Sequence, residues 1–358
     1  MANETLSKAK EVKNDEFYTQ YHDIEREIEA YLDYDPNVFR GKTVLLPCDD
    51  PEWSNFTRYF AQNFERLGLK KLISTSYAYE SKKFKGPIQL TLFETEAPQY
   101  DASKTQTHGK IFVLEHDTTG DGRVNIDDLE WKYLEGDGDF RSKEVTRLRD
   151  EADIIVTNPP FSLFREFFAW LINSNKKFVM IGNKNCVTYK EVFPFFKENK
   201  IWSGRREWAG GMWFETKNSN DVDKVVNGVN MKNIPSIWLT NIEHGRRHQP
   251  LQLMTMADNL KYSKHKEVKG RDGYAHYDNY DAIEVPYTDA IPSDYEGAMG
   301  VPISFLDKYC PEQFEILNAN DYRKSECVPI KPHGLIKDKD GSINGIPKYA
   351  RLLIRKKQ

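Results

Sequence analysis

Ile154-Ile155-Val156-Thr157-Asn158-Pro159-Pro160-Phe161-Ser162-Leu163-Phe164-Arg165 is the stretch on which the reading of this chain turns. Its first four residues are apolar or β-branched without alternation, the pattern of a short strand buried on both faces. Two consecutive prolines then fix φ and remove backbone donors, so the strand must stop there. Beyond the turn, Leu163, Phe164, Phe167, Phe168, Leu171 and Ile172 recur at helical spacing. Buried strand, rigid turn and amphipathic helix together form one unit of an α/β sheet.

The same unit recurs on either side. Tyr21, Ile24, Ile28, Tyr31 and Leu32 predict a helix stopped by Asp35-Pro36, and Thr43–Leu46 reads as a strand. Ser54 is a helix cap before the stripe Phe56, Tyr59, Phe60, Phe64 and Leu67, closed by Gly68. Further strands are predicted at Lys71–Ser74, Ile111–Leu114, Lys177–Ile181 and Ser236–Asn241. The expected fold is α/β, a mostly parallel sheet with helices on both faces and ligands at the carboxyl ends of its strands. Past Gly245 the texture becomes irregular, and four of the eight histidines lie between His244 and His276. The expected organisation is one domain over 14–245 and a second region over 246–358.

The charged residues, 30% of the chain, leave a net charge of only -4, which argues against a protein coated in positive charge. One basic cleft would still track phosphates, so composition does not exclude nucleic acid. Cys48, Cys186, Cys310 and Cys327 are widely spaced, without metal-ligand or disulfide patterning. Met1–Lys13 is polar, and no run approaches the ~18 apolar residues of a membrane span. A reducing, cytoplasmic setting without membrane contact or an obligatory metal is expected.

The Asn158-Pro159-Pro160-Phe161 turn carries the chemistry. An exocyclic amine on an aromatic base is a poor nucleophile because its lone pair is delocalised into the ring. Two acceptors on the amino hydrogens, the Asn158 side-chain oxygen and the Pro159 carbonyl, would localise that pair and aim it at a methyl donor. Phe161 offers a flat face for an extruded base. No covalent intermediate is needed.

This loop resembles motif IV of the amino-methyltransferases, and its asparagine start favours adenine N6 over cytosine N4. The wider chain resembles the EcoRI-type adenine-specific DNA methyltransferases. The likeness runs through Asn14-Asp15-Glu16-Phe17-Tyr18-Thr19, Pro47-Cys48-Asp49-Asp50-Pro51, Ser54-Asn55-Phe56, Gly136–Ser142, Asn158–Arg165 and Gly300–Leu306. It implies a Rossmann-like S-adenosylmethionine-dependent domain over 14–245 and a target-recognition region over 246–358. The implied activity is N6 methylation of adenine in duplex DNA by base flipping, with a cognate restriction endonuclease as a possible partner. Methylation of RNA or of a glutamine amide is an alternative, since Asn-Pro-Pro-aromatic loops serve those too. A catalytically inactive DNA-binding relative is another.

The resemblance also assigns a cofactor site. Phe17-Tyr18-Thr19 is similar to the element that holds the amino acid end of S-adenosylmethionine. The loop after the first strand, Pro47-Cys48-Asp49-Asp50, lacks the glycines usual there, but Asp49 or Asp50 would pair with the ammonium group. Asp139-Phe140 is similar to the pair that meets the cofactor adenine. The acid expected after the second strand for the ribose is missing: Thr75, Ser76 and Tyr77 come first, and then Glu80.

Other signals are weaker. Asp117, Thr119, Asp121, Asn125 and Asp128 partly match a calcium loop, although Thr119 and Asp128 depart from it and no second loop pairs with it. An acidic, glycine-rich turn is the plainer reading. Pro47-Cys48 invites comparison with a nucleophilic cysteine, but no cation adjoins it, so Cys48 is read as structural. Trp213 or Phe214 would close the second face of the base, unless they are core. Arg205, Arg206, Arg246, Arg247, Lys264, Lys266, Lys269 and Arg271 are the candidate DNA contacts, interleaved with acids that also suit a solvated surface.

Overall fold

The computed structural model describes residues 17–49, 54–78, 98–216, 221–324, 335–336, 341–348 and 350–357. Asn14–Glu16, Asp50, Pro51, Glu80 and Cys327 lie outside them. The chain divides into two compact units. One takes the residues up to Lys184 together with Gly204–Ile242, and the other takes Asn185–Ser203 with the residues from Glu243 onward. The second unit thus contains a segment, Asn185–Ser203, drawn from inside the 14–245 span.

The strands of the first unit are β1 (Tyr18–Thr19), β2 (Thr43–Pro47), β3 (Lys71–Ser76), β4 (Lys110–Leu114), β5 (Glu130–Tyr133), β6 (Ile154–Thr157) and β7 (Lys177–Asn183). After β8 (Trp202–Ser203), which belongs to the second unit, come β9 (Met212–Glu215), β10 (Lys224–Val226), β11 (Val229–Ile234) and β12 (Ser236–Thr240). The main sheet runs β5-β4-β3-β2-β6-β7-β12. β3, β2, β6 and β7 are parallel, whereas β4 pairs antiparallel with β3, β5 with β4, and β12 with β7. The sheet is therefore mixed, parallel only at its centre, where β2 and β6 are buried along their whole length. β2 pairs with β3 on one side and β6 on the other. The chain reverses its lateral direction there, and in sheets of this kind the carboxyl ends of the two strands at the reversal are where ligands bind.

The predicted helix over Tyr21–Tyr34 buries Ile24, Ile28 and Tyr31, and the helix Asn55–Gln62 buries Phe56, Tyr59 and Phe60. Ser54 caps the second, its hydroxyl accepting from Phe56 N at 3.1 Å, and Gly68 closes the following turn at φ +64°. Both form one core with Val44, Leu46, Leu72, Val156 and Val179.

The second unit is built on a sheet of β13 (Ile283–Glu284), β14 (Met299–Pro302), β15 (Phe314–Leu317) and β18 (Arg351–Lys356), ordered β13-β14-β18-β15, with a separate ribbon of β16 (Gly341–Ile343) and β17 (Ile346–Lys348). Its small core gathers Tyr277, Tyr280, Ile336 and Leu353. These strands are illegible in the sequence because they are short and carry glycine and proline, as in Met299-Gly300-Val301-Pro302.

His244 in this unit is buried, with Nε2 2.9 Å from the Ser203 carbonyl. Burial is the main force that pushes its pKa from 6.5 down to about 4; the Ser203 bond opposes it, and Arg246, Arg247 and His248 add to it. The fold holds the ring neutral while the unfolded chain protonates it. The stability it lends is therefore present above pH ~6.5 and drains as pH falls toward ~4, a loss of roughly 3 kcal/mol. Urea unfolding at pH 7 and pH 4.5 should show a shallower pH dependence for His244→Gln than for the unsubstituted chain.

Candidate active site

The Asn-Pro-Pro-Phe turn leaves the carboxyl end of β6 at this reversal point. Pro160 starts a single 3-10 turn over Phe161–Leu163, its carbonyl accepting from Leu163 N at 3.0 Å, and the helix Phe164–Ile172 follows. Asn158, Pro160 and Phe161 are half-buried.

The amide of Asn158 is oriented by one contact: Nδ2 donates to the Phe17 carbonyl at 2.7 Å. That fixes Oδ1 on the opposite side of the amide. Oδ1 is buried and has no hydrogen-bond partner among the described residues. A buried acceptor without a donor is costly, and such an atom is available to a ligand's N–H. Phe161 packs against Phe17 and Phe214, ring centroids 6.1–6.3 Å apart in the trio. Phe214 is fully buried. Trp213 points to the other face of β9, where Lys224 Nζ lies 3.6 Å over its ring.

Beside this turn, the loop after β2 is tied by hydroxyls. The Asp49 carboxylate accepts from Ser54 Oγ at 2.9 Å and from Thr157 Oγ1 at 2.8 Å, and the Asp49 carbonyl accepts from Ser74 Oγ. Asp49 thereby clamps β2, β3, β6 and a helix cap together. The hydroxyls of Thr157 and Ser74 carry no mark in the sequence beyond being polar groups inside buried strands, and the cap reading of Ser54 does not extend to its bond with Asp49. Two further buried hydroxyls, Thr19 Oγ1 and Thr75 Oγ1, have no partner among the described residues. Thr75 lies opposite Pro47 in the β2–β3 register.

Cys48 stands at φ +75° between these strand ends. Burial, and then the carboxylates of Asp49 and Asp139, push its thiol far above the ordinary range, so it is no thiolate nucleophile. The same charges put Asp139 in the field of this loop. Its own segment is docked on β3: Ala78 N donates to the Asp137 carbonyl at 2.7 Å. A Cβ on Gly138, at φ +82°, would overlap the Ser76 carbonyl oxygen. The Asp139 carboxylate is gripped by the Arg141 guanidinium at 2.6 and 2.9 Å, which lowers its pKa, and Glu166 holds the far side of that guanidinium at 2.6 Å. The Phe140 ring is buried against Phe167 and Trp170, 5.1 and 5.7 Å away.

The other candidates divide. Arg206 is committed within its own unit, donating to Asp23 and, at 2.9 Å, to the Gly211 carbonyl. The backbone N–H groups of Arg205 and Arg206 donate at 2.7 and 3.1 Å to buried Glu27, which also accepts from Tyr31 OH at 2.7 Å. Gly204 is required there because a Cβ would overlap the Glu27 carboxylate. Glu27→Ala should strand these donors and cost about 3 kcal/mol in urea unfolding. In the second unit, Arg247 is buried, donating to Asn199 at 2.6 Å and lying 3.6 Å over Trp202, and Arg246 pairs with Asp307 at 2.9 Å. Lys264, Lys266, Lys269 and Arg271 are exposed, Lys264 pairing with Asp289 at 2.8 Å.

The calcium-like loop satisfies itself. Asp117 accepts from Gly120 N and Gly122 N at 2.6 and 2.8 Å, Asp121 from Arg123 N, and buried Asp128 from Thr118 N, Thr119 N and Asn125 N. Those bonds hold the Asp128 carboxylate far below its usual range. Among the described residues no group of three or more His, Cys, Asp or Glu side chains is arranged to hold a metal ion, and no helix is long and apolar enough to cross a membrane.

A parallel-centred sheet, with an oriented asparagine acceptor and an aromatic face at its reversal point, is consistent with the class of amino-methyltransferases. Comparison with known proteins narrows this. The family model described as adenine-specific methyltransferase EcoRI matches residues 5–357, and the chain belongs to that family; it is a DNA adenine methyltransferase. It is 40% identical to the Type II methyltransferase M.EcoRI of Escherichia coli over 367 residues, covering 99% of this chain and 97% of that one. It is 31% identical to the Type II methyltransferase M.MpnI of Mycoplasma pneumoniae, covering 99% and 98%. It is 33% identical to M.MgeORF184P of Mycoplasma genitalium, covering 99% of each. No solved structure matches the chain.

Proposed function

We propose that this chain methylates N6 of one adenine within a short recognition sequence of duplex DNA, using S-adenosylmethionine and a base turned out of the helix. The observation that carries the reading is the buried, unpartnered Oδ1 of Asn158, oriented by the Phe17 carbonyl. With the Pro159 carbonyl it accepts the two amino hydrogens, so the nitrogen lone pair is withdrawn from ring conjugation and directed outward. Phe161, backed by Phe17 and Phe214, gives the base a flat support.

When bound, S-adenosylmethionine supplies an electrophilic methyl group. Phe17, Tyr18, Thr19, Pro47, Cys48, Asp49 and Asp139 are the residues that would hold it. The unpaired hydroxyls of Thr19 and Thr75 fit a ligand rich in hydroxyl and amino groups, and Thr75 takes the ribose role for which the sequence offers no acid. Arg141 keeps Asp139 ionised and able to accept. The sheet is read as Rossmann-like, and the region over 246–358 as target-recognizing, with Lys264, Lys266, Lys269 and Arg271 toward phosphates. A cytoplasmic setting and a restriction endonuclease of the same specificity complete the proposal.

The test is methylation-sensitive sequencing of DNA from cells that lack adenine methylation and express this chain. N6-methyladenine in a single short context is the expected result. DNA without it, or carrying N4-methylcytosine instead, would overturn the assignment.

A further inference from the structure

The first unit carries an exposed apolar tip. β10 and β11 form a hairpin whose two turn residues, Asn227 and Gly228, both have positive φ, +50° and +82°. That is the type I′ geometry of a tight, twisted hairpin. At its tip Val225, Val226 and Val229 are 61%, 43% and 36% exposed. Three neighbouring β-branched apolar side chains in water are an unusual feature for a loop end. Lys224, at the base of the tip, is also exposed.

The hairpin is joined by hydrogen-bonded strands to the segment that orients Asn158. The small sheet runs β1-β9-β11-β10, and Lys224, Met231, Glu215 and Tyr18 form one row across it. In the next row Val225 faces Asn230, whose carbonyl accepts from Thr216 N at 2.9 Å. Continuing the β1–β9 register by one residue puts Phe17 in that row too. Phe17 and Val225 therefore share a sheet face, three strand spacings or about 14 Å apart. The Phe17 face is also that of Phe214, against which Phe161 packs.

We propose that the Val225-Val226-Asn227-Gly228-Val229 tip is a wedge that enters the duplex beside the target adenine and fills the space the base leaves. The inference rests on the duplex-DNA reading given above. An apolar side chain between base steps favours unstacking, which an enzyme acting on an extruded base must bring about. The Lys224 ammonium, lying over Trp213, suits the phosphates flanking such an insertion. The rigid ladder from the tip to Phe17 would hold wedge and acceptor at a set separation.

The experiment compares methyl transfer to two duplexes carrying the mapped recognition sequence, one intact and one with an abasic site opposite the target adenine. The second duplex has already lost much of the cost of extrusion. The double variant Val225→Asp/Val229→Asp, at exposed positions, should lose roughly 30-fold in kcat/KM on the intact duplex and less than about threefold on the abasic one. Val225→Leu/Val229→Leu should stay within about threefold on both. Unchanged turnover of the aspartate variant on intact duplex, or an equal loss on both, would overturn the wedge. Sedimentation showing a dimer of the unsubstituted chain that the aspartates dissociate would assign the tip to a second copy and overturn it equally. If the unsubstituted chain methylates neither duplex, the DNA reading itself falls, a result distinct from loss on one duplex alone.

Discussion

Asn158→Ala should lower turnover by about 10²–10³-fold while leaving S-adenosylmethionine affinity within a few-fold. The asymmetry follows from the two ends of one amide. Oδ1 is the buried acceptor, without a partner among the described residues, that is proposed to take the reacting amine. Nδ2 is spent on the Phe17 carbonyl, so truncation also leaves that carbonyl without its donor and costs about 1 kcal/mol of stability. The cofactor contacts proposed for Asp49 and Asp139 do not pass through Asn158, so isothermal titration should still detect binding. Single-turnover measurement on DNA of the mapped context checks the rate. A variant that turns over within tenfold of the unsubstituted chain would mean that Asn158 is only a structural tie.

Gly138→Ala should be the most damaging small change outside the proposed catalytic turn. The residue stands at φ +82°, where an L side chain is strained, and its Cβ would overlap the Ser76 carbonyl. Backbone cannot give as a flexible side chain can, so the Asp137–Asp139 loop must lift from the end of β3. We expect roughly 3 kcal/mol of lost stability and at least about a tenfold loss in S-adenosylmethionine affinity. Gly120→Ala separates the two causes. Gly120 has φ +77°, but a Cβ there would meet nothing within 4 Å, so the change should cost only ~1–2 kcal/mol and leave affinity unchanged. Equal effects of the two substitutions in urea unfolding and titration would show that close packing on Ser76 is unimportant.

Much of the site was legible because its signals are local. Two prolines end β6 wherever the chain places them, and the stripe from Leu163 to Ile172 makes the following segment helical. Ser54 and Gly68 act on their own turns, and both are found as caps. The antiparallel course of β4 and β12 was not legible, since an apolar run has the same pattern in either direction. Arg206, Arg246 and Arg247 looked like phosphate contacts for a related reason. A charged side chain in sequence carries no mark of the carboxylate, carbonyl or ring that engages it in the fold.

From its residues alone the chain determined a strand, a stiff turn bearing an acceptor, and the helix behind it, because backbone restriction and apolar periodicity act within a dozen positions. Tertiary structure alone decided that Thr157 would reach Asp49 across 108 residues, that Asn158 would be steered by Phe17 across 141, and that Arg206 would be taken by Asp23 across 183. Such pairings depend on which strand lies beside which, and that order is settled by packing the whole core at once.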